Sequence, residues 1–481
     1  MPRRPLLLVC LACLLLTLTA CAIGPQYQRP TALVPDAYKE PPPANFKELE
    51  GWKVAQPNDD LARGQWWAIF QDPQLNALEE QVEVSNQTLA VAEAQLRGAR
   101  AAIGVARAPL FPTVTGTATA TGSRQSLNRP GASNPSNATR ADYQLPVDVS
   151  YELDVWGRIR RNVEANIATA QASAADLETA RLSIHAELAS DYFALHGLDA
   201  QKQLLDLTIS AFEKALELTT NRYNQGVASQ IEVLQARTLL ETTRAQALDV
   251  GVQRAQFEHA IAILLGTPPA EFSIPPAPIG IQPPAIPVGL PSELLERRPD
   301  IAGAERRVAV ANEQIGIAQA AFYPTVTLKS TLGLESSSLP NLFSWPSALW
   351  SLGSSLVETL FDAGRRQAVT EQAQAAYDAT VATYRQTVLV AFQGVEDNLA
   401  ILRILEAEAA QQEKAVQTAE AALNLAINRY KGGITTYLEV ITAQSAALTA
   451  ERTALDLSTR RMNASVQLIK ALGGGWGAAS M

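Results

Sequence analysis

The sequence predicts an α+β membrane protein of a few short strands and two very long helices, with the whole pattern written twice. Three observations carry that reading. Short segments alternate apolar and polar residues with period two, though the fourth is less regular, two long stretches rich in good helix formers carry no proline, and both patterns recur about 200 residues on. Ile103-Gly104-Val105-Ala106 before Phe111-Pro112-Thr113-Val114-Thr115 recurs 212 positions on as Ile315-Gly316-Ile317-Ala318 before Tyr323-Pro324-Thr325-Val326-Thr327. Asn221-Arg222-Tyr223 with Gly226, Ile231-Glu232-Val233 and Leu265-Gly266 recur 207 positions on as Asn428-Arg429-Tyr430 with Gly433, Leu438-Glu439-Val440 and Leu472-Gly473. A period of this length is too long for a solenoid, whose repeats run to roughly 20–50 residues, and fits a duplicated domain.

The chain opens on Arg3 and Arg4 and an apolar run from Leu6 to Leu18, too short for a permanent transmembrane helix. The run ends in Leu18-Thr19-Ala20-Cys21, which resembles a bacterial lipoprotein signal: residues 1–20 leave, and Cys21 becomes the acylated N-terminus. The three cysteines are Cys10, Cys13 and Cys21, so the mature chain keeps no free thiol for a disulfide, a metal or a nucleophile. More than one acyl chain on Cys21 anchors stably, since one binds only marginally. Ala22, where an aspartate would favour inner-membrane retention, directs the anchor to the outer membrane by the same resemblance. The formal charge of −9 and the lack of a basic block exclude a nucleic-acid partner.

Residues 21–70 form a lipid-anchored, extended arm, Pro-rich at Pro41-Pro42-Pro43, which Trp66, Trp67 and Phe70 dock on the body. Residues 71–266 make the first repeat. It comprises a helix over 74–108, a strand over 113–121, a loop from Ser123 to Ala141, a strand over 143–155, a helix from Arg158 to Asn224 and a returning helix from Ser229, its cap, to Leu265. At about 1.5 Å per residue the long helix measures roughly 100 Å, and Gln225-Gly226 ends it. Residues 267–291 are a Pro-rich linker. Residues 292–473 repeat the pattern: helix 291–321, strands 324–334 and 349–361, long helix 365–431, a turn at Gly432-Gly433 and helix 435–472, with 474–481 as a tail.

The strands decide the class. Tyr143, Leu145, Val147, Val149, Tyr151, Leu153 and Val155 share one face of the second strand, and Asp148, Glu152 and Asp154 lie on the other. Segments of about ten residues with one apolar and one polar face are the signature of outer-membrane barrels; a soluble sheet with one buried face has the same pattern, and the anchor favours the barrel. Four strands cannot close, and open edges are not tolerated in lipid, so the chain must oligomerise. Two copies give eight strands, filled by side chains, whereas three give twelve and leave a lumen. Asp148, Glu152 and Asp154 would face that lumen and favour cations.

Together these residues resemble the outer membrane efflux proteins, the TolC-like outer-membrane factors of tripartite pumps, in their lipoprotein-anchored branch. The resemblance rests on Glu296-Arg297-Arg298-Pro299-Asp300-Ile301, Ala304-Glu305-Arg306-Arg307, Ala320-Ala321-Phe322-Tyr323-Pro324, Asp362-Ala363-Gly364-Arg365-Arg366, Tyr430 with Gly433, and Ala471-Leu472-Gly473-Gly474-Gly475-Trp476. It covers essentially the whole chain after Cys21. It implies a homotrimer with a twelve-stranded outer-membrane β-barrel, four strands per chain, continued by a long α-helical periplasmic barrel with an internal two-fold repeat. It implies outer-membrane lipid, a periplasmic adaptor and an inner-membrane pump, of the resistance-nodulation-division type, as partners, and no cofactor beyond the lipid on Cys21.

The resemblance also places the helix–helix turns at a periplasmic tip that meets the adaptor and closes as an iris. Arg222, Tyr223, Asn224 and Gly226 stand at one turn; Asn424, Asn428, Arg429, Tyr430, Gly433 and Thr435 stand at the other. Arg429 is expected to help hold the iris shut, though Arg222 and Arg429 also suit compensation of a helix C-terminus. The histidines, His185, His196 and His259, lack metal-ligand spacing, and no nucleophile elbow or phosphate loop occurs. A passive conduit, not an enzyme, follows. Protein secretion of type I, metal efflux without a methionine relay (Met462 is the one internal methionine) and a poreless periplasmic scaffold are the alternatives.

Overall fold

A computed structural model describes residues 23–35, 37–40, 65–124, 126, 139–278, 283–284, 286 and 297–474. Cys21 and its signal, the tail beyond Gly474, Glu296, most of the loop 123–141 and part of the linker 267–291 lie outside the described residues. The elements run α1 (Pro73–Ser85), α2 (Gln87–Arg107), β1 (Thr113–Gly116), β2 (Thr119–Ser123), β3 (Arg140–Leu153), α3 (Arg158–Asn224) and α4 (Gln230–Leu264). After the linker come α5 (Pro299–Ala320), β4 (Thr325–Ser336), β5 (Ala348–Val357), α6 (Arg365–Lys431) and α7 (Tyr437–Ala471). The two long helices begin and end where the missing prolines and the closing glycines place them. No described helix is long and apolar enough to cross a membrane.

Two elements differ from expectation, each for a local reason. The helix expected over 74–108 is broken at Asn86, whose backbone is extended and whose side chain accepts hydrogen bonds from Thr88 N (2.9 Å) and Leu89 N (3.0 Å), so that it caps a new helix. The strand expected over 113–121 is split into β1 and β2, laid end to end along β3. The gap faces Leu145 and Pro146; proline has no N–H to donate, and the residual contact is Thr117 N donating to Pro146 O at 3.0 Å.

Met1–Thr31, Gln95–Ser173 and Ala304–Tyr384 form one compact unit, and Ala32–Ala94, Ala174–Gly303 and Arg385–Met481 form another. The first unit carries an antiparallel sheet in the order β1/β2, β3, β4, β5. Its register aligns one apolar row: Leu145 faces Leu334, Val147 faces Leu332, and Leu332 faces Trp350. That row is open, with Trp350 77% and Leu332 65% exposed. Ser330 opposite Leu352 and Val326 opposite Leu356 put the apolar residues of β5 on the same face, an order its sequence alone did not reveal. The opposite face is polar, with Thr331 between Asp148 and Ser351. Gly333 sits against Pro146, where a Cβ would meet Leu145 O and Pro146 Cα at 2.6 Å.

The arm is fastened in the same unit. Ile23 N donates to Trp156 O (3.2 Å), Arg161 Nε donates to Ile23 O (2.6 Å), and Asn312 Nδ2 donates to Pro25 O (3.3 Å). In the second unit Trp66, Trp67 and Phe70 are buried, Trp67 stacking on His185 at 4.5 Å and Phe70 packing on Phe193 at 4.9 Å. His185 pairs with Glu79 at 2.6 Å; burial pushes the Glu79 carboxyl up to about 7 even so. His196 Nδ1 donates to Ala277 O at 2.6 Å, and Arg254 Nη2 donates to Ile274 O at 2.6 Å, which tie the start of the linker to α3 and α4.

Candidate functional site at the hairpin ends

α3 and α4 make one helical hairpin and α6 and α7 a second, and the same backbone closes both. Val227 N donates to Arg222 O and Gly226 N to Tyr223 O, each at 2.8 Å; Ile434 N donates to Arg429 O at 2.9 Å and Gly433 N to Tyr430 O at 3.0 Å. Both are Schellman closures, and both glycines have φ of 72°, in the left-handed region that a Cβ disfavours. Ser229 holds the N-cap position of α4 with no side-chain cap bond, contrary to its expected role.

Side chains then join the two ends. Arg222 Nη1 donates to Tyr430 O at 3.1 Å, and its guanidinium lies over the Tyr430 ring at 4.6 Å. Tyr430 Oη donates to Glu232 Oε2 at 3.1 Å. Tyr430 and Tyr437, ring centroids 5.3 Å apart, are 4% and 2% exposed and pack with Ala236 and Val440. Burial raises the Tyr430 phenol above its ordinary value, with the Glu232 carboxylate adding to it, and burial pushes Tyr437 up to about 12. The cluster is aromatic, buried at its two tyrosines, and held by one arginine and one carboxylate from the first hairpin.

Of the residues expected at the tip, the structure therefore brings Arg222 and Tyr430 together. Arg429 behaves otherwise: it pairs loosely, at 3.8 Å, with Glu439 of its own hairpin, and both side chains are about half exposed. Tyr223, Asn224, Asn424 and Asn428 are exposed, and Thr435 Oγ1 is buried without a hydrogen-bond partner. Glu232 and Tyr437 were missed as site residues, although Glu232 stands inside one of the matched segments. Beside each turn lie matched exposed apolar residues, Val227 and Ile231 at one end, Ile434 and Leu438 at the other.

The sheet's acidic residues divide similarly. Asp148 stays on the polar face and accepts from Thr331 Oγ1 at 2.6 Å. Glu152 is held by both oxygens on Arg158 Nη2, at 2.8 Å each. Asp154 corrects the expectation: it lies one residue beyond β3, and its carboxylate accepts from Ile159 N and Arg160 N, both at 2.9 Å. It caps α3 there, where the helix dipole favours an anion, and does not extend the polar row of the strand.

A family model described as Outer membrane efflux protein matches residues 78–267 and 290–474. The chain belongs to the outer membrane efflux protein family. The efflux protein is 32% identical over 472 residues to the probable efflux pump outer membrane protein TtgC of Pseudomonas putida, covering 98% of this chain and 96% of that one. It is 32% identical over 478 residues to the outer membrane protein OprJ of Pseudomonas aeruginosa, covering 98% and 97%. Its fold matches the solved outer-membrane channel OprN with a TM-score of 0.85 at 31% identity, over 95% of this chain and all of that one. This efflux protein is thus an outer-membrane channel that extends into the periplasm and serves as the exit duct of an efflux system; its family is one of channels, not enzymes.

Proposed function

We propose that three copies close the duct: a twelve-stranded barrel from four strands per chain, continued by the helical hairpins, each chain a duplication of one helix–strand–strand–helix–helix unit. The observation that carries this is the sheet. One face is an open apolar row suited to lipid, the other is polar, and β1/β2 and β5 each pair on one side only among the described residues. The boundaries follow the sequence reading: signal 1–20, arm 21–70, repeats 71–266 and 292–473 about the linker 267–291, and tail 474–481. Cys21 is acylated, and the fastening of Ile23 and Pro25 supports an anchor held close to the protein.

The polar face lines the lumen. Asp148 supplies charge there, and Arg158 neutralises Glu152, which makes the cation preference weaker than three free carboxylates would give. The hairpin ends face the adaptor of a pump of the resistance-nodulation-division type, with Val227, Ile231, Ile434 and Leu438 as the apolar contact and the Arg222–Tyr430–Glu232 cluster as the latch of the closed iris. The duct conducts passively and takes no cofactor. The names of its relatives speak for small-molecule efflux over protein secretion. Mass and shape by electron microscopy of protein in lipid nanodiscs test the assembly: a three-fold hollow particle is expected. A monomer or dimer would sink the barrel, and failure of an adaptor to co-purify would sink the role of the ends.

A further inference from the structure

The second unit holds a cavity of about 710 Å³ between α3, α6 and α7, bounded at one end by Tyr430, Tyr437 and Val440 of the aromatic cluster and otherwise lined by residues the duct reading does not use. Its walls are apolar where Leu204, Leu207 and Phe212 face Leu423, Ile427 and Leu448. The volume lies within the roughly 300–1,000 Å³ of small-molecule sites, which pair apolar walls with a few placed polar groups. Here α7 supplies those groups. Gln444 is 6% exposed, lines the cavity, and its Oε1 has no hydrogen-bond partner. Glu451 also lines it, seven residues on; two helical turns put it on the same face of α7, about 10 Å away. Glu451 stands against Glu420, and burial first, then that neighbour, raises its carboxyl above the ordinary value. Glu420 itself is exposed and does not line the cavity, so the pair meets solvent on one side, where a shared proton or a cation relieves the repulsion. Lys214 and Lys431 border the same space, but both are exposed, and their long stems let the ammonium groups reach water.

We propose that this cavity binds an elongated amphiphilic cation, with its apolar ring system between α3 and α7, an N–H donated to Gln444 Oε1 and an ammonium at Glu451 and Glu420. The spacing of acceptor and carboxylate along α7 selects an elongated molecule with a donor toward each end. Such a ligand is held by the hairpins themselves, outside any role of the sheet.

The test uses full-length protein in lipid nanodiscs and dansylcadaverine, which joins an aryl sulfonamide N–H to a primary ammonium by a five-carbon chain. Fluorescence anisotropy, with empty discs subtracted, is expected to show one saturable site per chain. Glu451→Gln should weaken binding at least tenfold, and dansylglycine, its anionic counterpart, should bind at least tenfold less well. Ala211→Trp, at an exposed position of the wall, should fill the space and abolish binding while the helical melting curve stays in place. As a second readout, Leu207→Cys places a thiol on the wall, and dansylcadaverine should slow its maleimide labelling. Equal binding by the wild type and Ala211→Trp, preference for dansylglycine, or labelling unchanged by the dye would overturn the proposal. So would a Leu207→Cys thiol that never reacts, because the cavity would then be closed by another chain.

Discussion

At the first hairpin end Arg222, Tyr223 and Glu232 stand where the second end has Arg429, Tyr430 and Glu439, and both turns close on a glycine at φ 72°. Letters and backbone agree; the side chains do not. Arg222 and Glu232 leave their own hairpin and hold Tyr430, whereas Arg429 and Glu439 face one another at 3.8 Å in solvent. Tyr430 is 4% exposed and Tyr223 43%. The polar groups of one end and the aromatic groups of the other thus make a single interface. An equal sequence at two sites sets equal local structure, but each site's role depends on which side of that interface it occupies.

The contrast is easiest to break at the tyrosines. Tyr430→Ala should destabilise the ends by about 3–5 kcal/mol, as removal of a buried aromatic does, and Tyr223→Ala by less than about 1 kcal/mol, as for an exposed site. Limited proteolysis at the turns, with denaturant melting alongside, measures both; equal sensitivity would erase the distinction. The arginines come next. Arg222→Ala removes a hydrogen bond and a cation–π contact, together about 2 kcal/mol, so the closed state should leak about 30-fold more in single-channel recordings if the cluster is the latch. Arg429→Ala gives up an exposed pair of about 0–1 kcal/mol, a change of less than about fivefold. The reverse order would restore Arg429 to the role its sequence position suggested.

The contrast between the two ends shows what the sequence could and could not carry. α3 and α6 were legible to the residue, because proline-free stretches closed by glycine leave one outcome available. The sheet's faces were legible where alternation was strict, as in β3, and hidden in β5, where Ser354 and Gly353 interrupt it until pairing with β4 fixes the register. The break at Asn86 had a signal, an Asn directly before Gln87-Thr88-Leu89, which the surrounding alanine-rich pattern outweighed. Asp154 followed the period of two for one residue too many, because a strand end and a helix cap both favour aspartate there. Glu232 had only its place in a matched segment, and its role arises from Tyr430, 198 positions away, which only packing brings near; Tyr437 packs on nearby Tyr430, and only packing adds Ala236 of the first hairpin.

Alkali probes the interface without altering its shape. Burial holds the Tyr437 phenol at about 12 against an ordinary 10.0, so the folded ends keep a proton that the unfolded chain gives up. The sign follows: this contribution is fully present below pH 10 and is lost as pH rises toward about 12. The Tyr430 phenol, raised in the same direction, adds to the loss. Melting of the ends followed between pH 9 and 12 should fall over that window, and Tyr437→Phe should remove part of the fall. A pH profile indifferent to that substitution would mean that water reaches the cluster.

The smallest effect serves as the control on which the comparison depends. Nothing lies within 4 Å of a Cβ built on Gly226 or Gly433, so Gly226→Ala and Gly433→Ala meet no neighbour and feel only the left-handed backbone, at about 1–2 kcal/mol each. Matched φ values predict matched losses, to within a few tenths of a kcal/mol by denaturant melting. If the two differ by more, the ends differ in backbone energetics as well, and the unequal tyrosine and arginine effects could no longer be assigned to the side chains alone. If they agree, the asymmetry belongs to the Arg222–Tyr430–Glu232 cluster, and the two turns are interchangeable parts around it.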